Sequence, residues 1–326
     1  MQIFIYGEYE NWQQKVFQNL LDKSIKVQWG VELPQNPDYH ILIWGMPREE
    51  FIAAAEKLKY IIVPYAGISS VTVSMFRKYP YLSVHNLHHN ALPTAEMAFS
   101  LLLAAAKNIV PAHNKLQKGD WTPRYKGLPS RLIAGKNVLI MGYGHVGRFL
   151  AEMCLGMKTK VSATRYSCQK NYYENEVKIH PASDLDLLLP QADILLLTMP
   201  LTAETENILN LQRLELLPEG AMLVNIGRGE LIEEKALYDL LRSQRIAAAG
   251  LDVWYNYPIT VEDRTHTFPG YLPFHELDNI VLSPHRGGAF ANYDTELLRV
   301  QHLAKMLNDF MKTGKMINKV DIERGY

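Results

Sequence analysis

Cysteine is nearly missing from this chain. Its two cysteines in 326 residues, Cys154 and Cys168, set no metal-ligand spacing, and Cys154 reads as a small buried hydrophobe within a helix. Net charge is missing as well. Thirty-four Lys and Arg offset thirty-four Asp and Glu, leaving no electrostatic footprint for nucleic acid or for an anionic membrane surface. No apolar run approaches the ~18–20 residues of a membrane span. The opening Met1–Gly7 reads as a strand, without a basic segment or a cleavage site. Low-complexity tracts and short-period repeats are likewise lacking. These absences point to a cytoplasmic-type chain with neither nucleic acid nor membrane among its partners.

What is present is an ordinary globular composition, 48% hydrophobic and 21% charged, over a length that suits two domains. Short apolar runs at Ile3–Tyr6, Ile25–Trp29, His40–Trp44, Tyr60–Pro64 and Tyr81–His85 read as strands, with helical patterns at Asn11–Leu21 and Glu49–Leu58. Pro93–Lys107 is apolar on most sides and reads as a buried helix. Lys118–Arg131, with two glycines and two prolines, reads as a loop. The alternation restarts at Gly135, with strands at Val138–Met141, Lys160–Thr164, Ile194–Thr198, Met222–Ile226, Ala247–Val253 and Ile280–Ser283. A long amphipathic helix follows at Asn292–Thr313. Such a rhythm predicts an α/β protein with two doubly wound parallel-sheet domains. The second is inserted into the first: 1–100 plus 291–326 form one domain and 101–290 the other.

The strongest local signal is Val138–Met141 running into Gly142, Gly144 and Gly147, then into a helical pattern. Gly142 permits a tight turn, Gly144 lets backbone approach a pyrophosphate, and Gly147 lets helix pack on strand. An anion placed there would meet the unpaired N–H groups of a helix N-terminus. Four further motifs close later strands: Met199-Pro200-Leu201-Thr202, Asn225-Ile226-Gly227-Arg228-Gly229, Gly250-Leu251-Asp252-Val253 and Ser283-Pro284-His285-Arg286-Gly287-Gly288. In an open parallel sheet, ligands bind beyond the carboxyl ends of the strands.

With these motifs in order, the chain resembles the D-isomer-specific 2-hydroxyacid dehydrogenases over nearly its whole length, from Ala66-Gly67-Ile68 through Thr94-Ala95-Glu96 to His285-Arg286-Gly287-Gly288. The resemblance implies a Rossmann cofactor domain inserted into a flavodoxin-like substrate domain. It also implies NAD(P)-dependent interconversion of 2-keto and D-2-hydroxy acids in a cleft between them. By that resemblance Arg228 binds the substrate carboxylate and keto oxygen, His285 is the acid/base, and the backbone of Ala66, Gly67 and Ile68 grips the carboxylate. Cofactor contacts fall to Thr94, Gly142, Gly144, His145, Val146, Gly147, Thr164, Arg165, Pro200, Thr205, Ile226, Gly227, Asp252 and Gly287. The chemistry suits these residue types. Reduction needs a proton at oxygen, which histidine supplies near neutral pH, and a planar 2-oxo carboxylate matches the two-pronged guanidinium.

Two positions depart from the family pattern. A glutamate normally pairs with the histidine, five residues after the aspartate of Leu-Asp-Val and just before a proline; here that place holds Tyr257. A neutral phenol brings no negative charge to favour imidazolium. One reading is an enzyme whose keto-acid reduction weakens at lower pH than in glutamate-bearing relatives. The alternative is a catalytically weak, nucleotide-binding regulator of the same fold, and a different substrate such as formate has no sequence feature to support it. The second departure follows the strand Lys160–Thr164, where an acidic residue usually holds the ribose 2′-hydroxyl. Thr164-Arg165-Tyr166-Ser167 offers a cation and hydroxyls instead, so NADP is expected ahead of NAD.

The remaining conspicuous residues take plainer readings. The histidines of His85–Asn90 lack a carboxylate or thiolate partner, so no metal is expected, although His88 or His89 could touch substrate. Trp44, Tyr65, Trp254, Tyr255, Tyr257 and Tyr271 could line an aromatic pocket, but packing is the commoner use of such residues. A homodimer is expected, with its contact on the Pro93–Lys107 helix and the loop after it.

Overall fold

A computed structural model describes residues 1–68, 70–288 and 292–324. It divides into two compact units, one made of Met1–Asn90 with Ala289–Tyr326 and the other of Ala91–Gly288.

The first unit holds five strands: β1 (Gln2–Tyr6), β2 (Lys26–Gly30), β3 (Ile41–Ile43), β4 (Tyr60–Val63) and β5 (Ser83–Asn86). All pair in parallel, in the order β2-β1-β3-β4-β5, which is the flavodoxin-like winding. Alternation along β1 explains the layering. Ile3 and Ile5 face helices Asn11–Leu20 and Tyr293–Thr313, meeting Phe17, Val300, Leu303 and Leu307, while Phe4 faces the opposite layer with Phe51, Ile52 and Phe76. All three residues of β3 are buried, as a strand covered on both faces requires.

The second unit carries eight strands: β6 (Asn137–Met141), β7 (Lys160–Arg165), β8 (Tyr172–Glu174), β9 (Val177–Pro181), β10 (Ile194–Leu197), β11 (Ala221–Asn225), β12 (Ile246–Leu251) and β13 (Ile280–Leu282). Their order is β13-β12-β11-β10-β6-β7-β9-β8. Counting parallel strands in chain order from β6, this is 3-2-1-4-5-6 with one strand added, the Rossmann winding. Strand β8 runs antiparallel to β9 and closes the edge. This hairpin is absent from the sequence reading, which placed no strand between 165 and 193. It turns at Asn175, a non-glycine residue at φ 54°, and so lacks the glycine that marks most tight hairpins.

The helix Ala91–Ala106 lies wholly in this unit, which therefore begins at Ala91 where the sequence reading put 101. Ala95, Ala98, Leu102 and Ala106 are fully buried against alternate residues of β6, β10 and β11. The helix also runs close across β12, where a Cβ on Gly250 would stand 2.7 Å from that of Leu101. Leu92 at its start stays exposed, and Met97, Phe99 and Leu103 are only partly buried. Further exposed apolar residues follow it, at Ile109, Leu116, Trp121, Tyr125 and Leu132.

Candidate active site

The loop after β6 folds as the glycine spacing predicts. Gly142 sits at φ 102°, and its N–H and that of Tyr143 both donate to the carbonyl of Thr164 at the end of β7, at 3.1 and 3.0 Å. The helix His145–Gly156 starts immediately after Gly144. A Cβ at Gly147 would fall 2.2 Å from the Gly142 carbonyl oxygen, so this glycine is required for helix and loop to touch. A Cβ at Gly144 would meet no protein atom within 4 Å. Nothing inside the protein calls for glycine there, and the open space before a helix N-terminus fits a dinucleotide pyrophosphate.

The other strand ends of this unit converge on the same edge. Thr205 accepts a hydrogen bond from the Thr202 N–H at 2.7 Å and donates to the Pro200 carbonyl at 2.9 Å, closing that turn. A Cβ at Gly227 would meet the Met199 carbonyl at 2.6 Å, so the turns after β10 and β11 lie against one another. Ile226 is buried beside them. Asn225, 1% exposed, ties the second turn together: its Oδ1 accepts from the Gly227 N–H at 3.0 Å and its Nδ2 donates to the Arg228 carbonyl at 2.7 Å. The sequence reading quoted Asn225 only as part of a motif; a buried amide opening a Gly-Arg-Gly turn is the signal that marks its role.

Asp252 has a similar duty. Fully buried, its carboxylate accepts from the Ser283 hydroxyl at 2.5 Å and from the backbone N–H groups of Arg286 and Gly287 at 2.8 and 2.7 Å. Those bonds hold His285 at φ 54°, a left-handed conformation uncommon for histidine. Thr94, at the start of the Ala91–Ala106 helix, lies beside Gly287, its Cγ2 3.4 Å from where a Cβ would stand. Asp252, expected from the sequence among the cofactor contacts, shapes the histidine loop with both carboxylate oxygens.

Nδ1 of His285 lies 2.9 Å from the Tyr257 hydroxyl, and that hydroxyl also accepts from the Trp254 N–H at 3.1 Å. Protein packed around the imidazole, and after it the Arg228 guanidinium, hold its pKa below the ordinary value, with Asp252 opposing. Burial holds the Tyr257 phenol above its own ordinary value, against the Trp254 N–H and the charge of Arg228. Arg228 is half-buried and its Nη1 donates to the Gly227 carbonyl at 2.6 Å.

At the end of β7 the structure adds residues that sequence reasoning missed. Arg165 Nη1 donates to the Tyr172 hydroxyl at 3.3 Å. On the same edge hairpin, Glu174 receives two bonds from Arg148, at 2.6 and 3.3 Å, which hold its carboxyl below the usual range. The acid lacking after β7 is therefore supplied nearby by β8, already neutralised by a guanidinium.

In the first unit, Ala66–Ile68 follow β4, and the Ala66 carbonyl accepts from Asn86 Nδ2 at 2.8 Å. His85 is bonded to the Ile317 carbonyl and to Ser83, and burial with neighbouring positive charges pushes His89 down to about 3. Among the described residues, no group of three or more His, Cys, Asp or Glu could hold a metal ion. Trp254 and Tyr255 are core residues of the second unit, donating to the carbonyls of Ser283 and Ile232, and Trp44 stacks on Tyr6 at 3.5 Å. Packing therefore accounts for these three aromatics.

Residues 99–287 match the family model of the D-isomer specific 2-hydroxyacid dehydrogenase NAD binding domain. The chain is 31% identical to a hydroxypyruvate reductase of Thermotoga maritima over 242 residues, 74% of each chain. It is 30% identical over 241 residues to a D-3-phosphoglycerate dehydrogenase of Methanocaldococcus jannaschii, a match covering 74% of this chain but only 43% of that longer protein. Among solved structures, an acyclic imino acid reductase in complex with NADPH and D-Arg superposes with a TM-score of 0.73 at 25% identity, covering 98% of this chain and all of that one.

Proposed function

The chain belongs to the D-isomer-specific 2-hydroxyacid dehydrogenase family, and from that premise we propose that it reduces a small 2-keto acid with a nicotinamide dinucleotide. The reading rests on one observation above all: the Asp252 clamp and the Asn225 turn bring His285 within the field of Arg228 on the strand-end edge that carries the glycine cradle. The relatives named above are reductases and dehydrogenases, and none lends support to the regulator alternative.

The cofactor would be held by Gly142, Gly144 and the helix start at His145–Gly147, and by the turns at Thr94, Pro200–Thr205, Ile226–Gly227 and Gly287. Bound there, it supplies the hydride. The chain's own residues do the rest. The Arg228 fork binds the carboxylate and keto oxygen and stabilises negative charge growing on that oxygen. Protonated His285 gives its Nε2 proton to the oxygen, and the reverse reaction returns it. Because this step uses the charged imidazole, reduction is supported below the histidine pKa and lost as pH rises through it. A pKa held low places that loss at lower pH. A screen of 2-keto acids against both cofactors, followed at 340 nm, tests the reading; no turnover with any of them would overturn it.

NADPH is the favoured cofactor. Arg165 and Arg148 outnumber Glu174 at the end of β7; Arg148 makes the hydrogen bonds to that acid, and Arg165 hydrogen-bonds the Tyr172 hydroxyl. The imino acid reductase of similar fold was solved with NADPH. Arg165→Ala is expected to raise the KM for NADPH about tenfold to a hundredfold, the worth of a charge-assisted bond, and to leave the KM for NADH within about twofold. Equal effects on the two cofactors would remove Arg165 from the 2′-phosphate.

Self-association is assigned to the exposed apolar segment after the buried helix, from Ile109 to Leu132. Trp121→Asp is expected to halve the mass seen by light scattering; a wild-type chain that is already monomeric would contradict the assignment.

A further inference from the structure

We infer that Tyr257 is a positioning residue whose hydroxyl donates to Nδ1 of neutral His285 and so keeps the ring's single proton on Nε2. The inference rests on the acid/base reading of His285 and adds that its neutral ring rests in the tautomer opposite to the Nδ1–H form left when Nε2 gives up its proton, so the contact opposes the reverse, oxidising direction.

The contact could be made in two ways, with the phenol donating to the imidazole nitrogen or the imidazole N–H donating to the phenol oxygen. Two arguments favour the first. A phenol O–H is far more acidic than a neutral imidazole N–H, and an imidazole nitrogen is far more basic than a phenol oxygen, so O–H···N is the better-matched pair. The Tyr257 oxygen already accepts the Trp254 N–H at 3.1 Å, a donor that cannot act otherwise. Accepting there polarises the O–H and strengthens its donation to Nδ1, 2.9 Å away. The backbone that carries the His285 ring is also held in place. Its left-handed backbone is fixed by three hydrogen bonds to Asp252 and by its own N–H to the Ser283 carbonyl at 3.0 Å.

The charged groups that act on this pair are Arg228 from the turn after β11, Asp252 from the end of β12, and Glu230, which acts on Tyr257. Within this set the phenol favours the neutral ring. Protonating Nδ1 would make the Tyr257 oxygen accept two bonds and turn its own hydrogen elsewhere. A carboxylate in the same place would instead accept from Nδ1, leave the neutral ring's lone pair on Nε2, and favour the charged form.

The test is 15N NMR of the full-length protein labelled at histidine, recorded above the pH at which His285 titrates and assigned with His285→Asn. Wild type is expected to show a protonated Nε2 and an unprotonated Nδ1. In Tyr257→Phe that signature is expected to give way to a mixture of tautomers. Loss of the phenol's preference for the neutral ring should move the descending limb of the reduction profile to higher pH, while the KM for the 2-keto acid stays within about twofold. Tyr257→Glu is expected to move the proton to Nδ1 and to raise the descending limb of the reduction profile by about 1–3 pH units. A wild-type ring protonated on Nδ1 would overturn the inference, and so would a Tyr257→Phe ring that keeps the wild-type signature. The spectrum is read without turnover, so failure of the acid/base reading, seen as no keto-acid reduction, is distinguished from failure of this one.

Discussion

His285→Asn is expected to lower kcat for 2-keto acid reduction by about two to four orders of magnitude, the range found for loss of a positioned general acid. That corresponds to about 3–5 kcal/mol of transition-state stabilisation. Asparagine is the informative substitution because the position lies at φ 54°. Asn tolerates the left-handed region better than other non-glycine residues, so the loop clamped by Asp252 should keep its shape. The new amide can still donate a hydrogen bond to a carbonyl oxygen but cannot release a proton to it. Dinucleotide binding, followed by fluorescence titration, should stay within about twofold, since the glycine cradle is untouched. A fall in kcat of less than about tenfold would show that the proton comes from somewhere else.

Arg228 carries the second large effect. Arg228→Gln removes a charged fork that we assign to two bonds on the substrate. At about 1.5–3 kcal/mol for each bond to a charged group, kcat/KM should fall about a hundredfold to ten-thousandfold. The same change acts on the histidine. Arg228 is one of the causes that hold His285 low, so its loss should move the descending limb of reduction to higher pH even as the maximum collapses. Arg228→Lys separates the two roles. Lysine keeps the charge and hence the low limb, but it lacks the planar fork, so kcat/KM should fall between the other two enzymes. If Arg228→Lys were as active as wild type, a point charge would suffice and bidentate binding would be wrong.

The features legible beforehand are those in which backbone geometry restricts the choice of residue. The glycines at 142 and 147 announce their turn and their close contact because no other residue fits those places. The alternating apolar runs announce strands because burial on both sides demands them. Less legible were features created by chain segments meeting. The β8–β9 hairpin is short and turns on Asn175, so Tyr172 and Glu174 gave no sign of lying beside Arg165 and Arg148. Asp252 stands out in a motif, but nothing in its spacing says that both its oxygens are spent on the loop around His285. Tyr257 is visible as a departure from the family pattern. Its second bond, to the backbone of Trp254, appears only in three dimensions, and that bond decides which way its proton points.

The interrupted first unit has a consequence for biosynthesis. Strands β1 to β5 are all made within the first 90 residues, yet the face bearing Ile3, Ile5, Ile41 and Ile43 is completed by Val300, Leu303, Met306 and Leu307 of the Tyr293–Thr313 helix. The second unit, an unbroken stretch from Ala91 to Gly288, has its core residues made just ahead of that helix. During synthesis the nascent chain therefore carries an oily sheet face covered only by the Asn11–Leu20 helix while some two hundred further residues are added, at roughly 5–20 residues per second. The order of translation thus leaves the first domain to be made exposed and finished last, a window of many seconds in which chaperones and aggregation compete for the same surface.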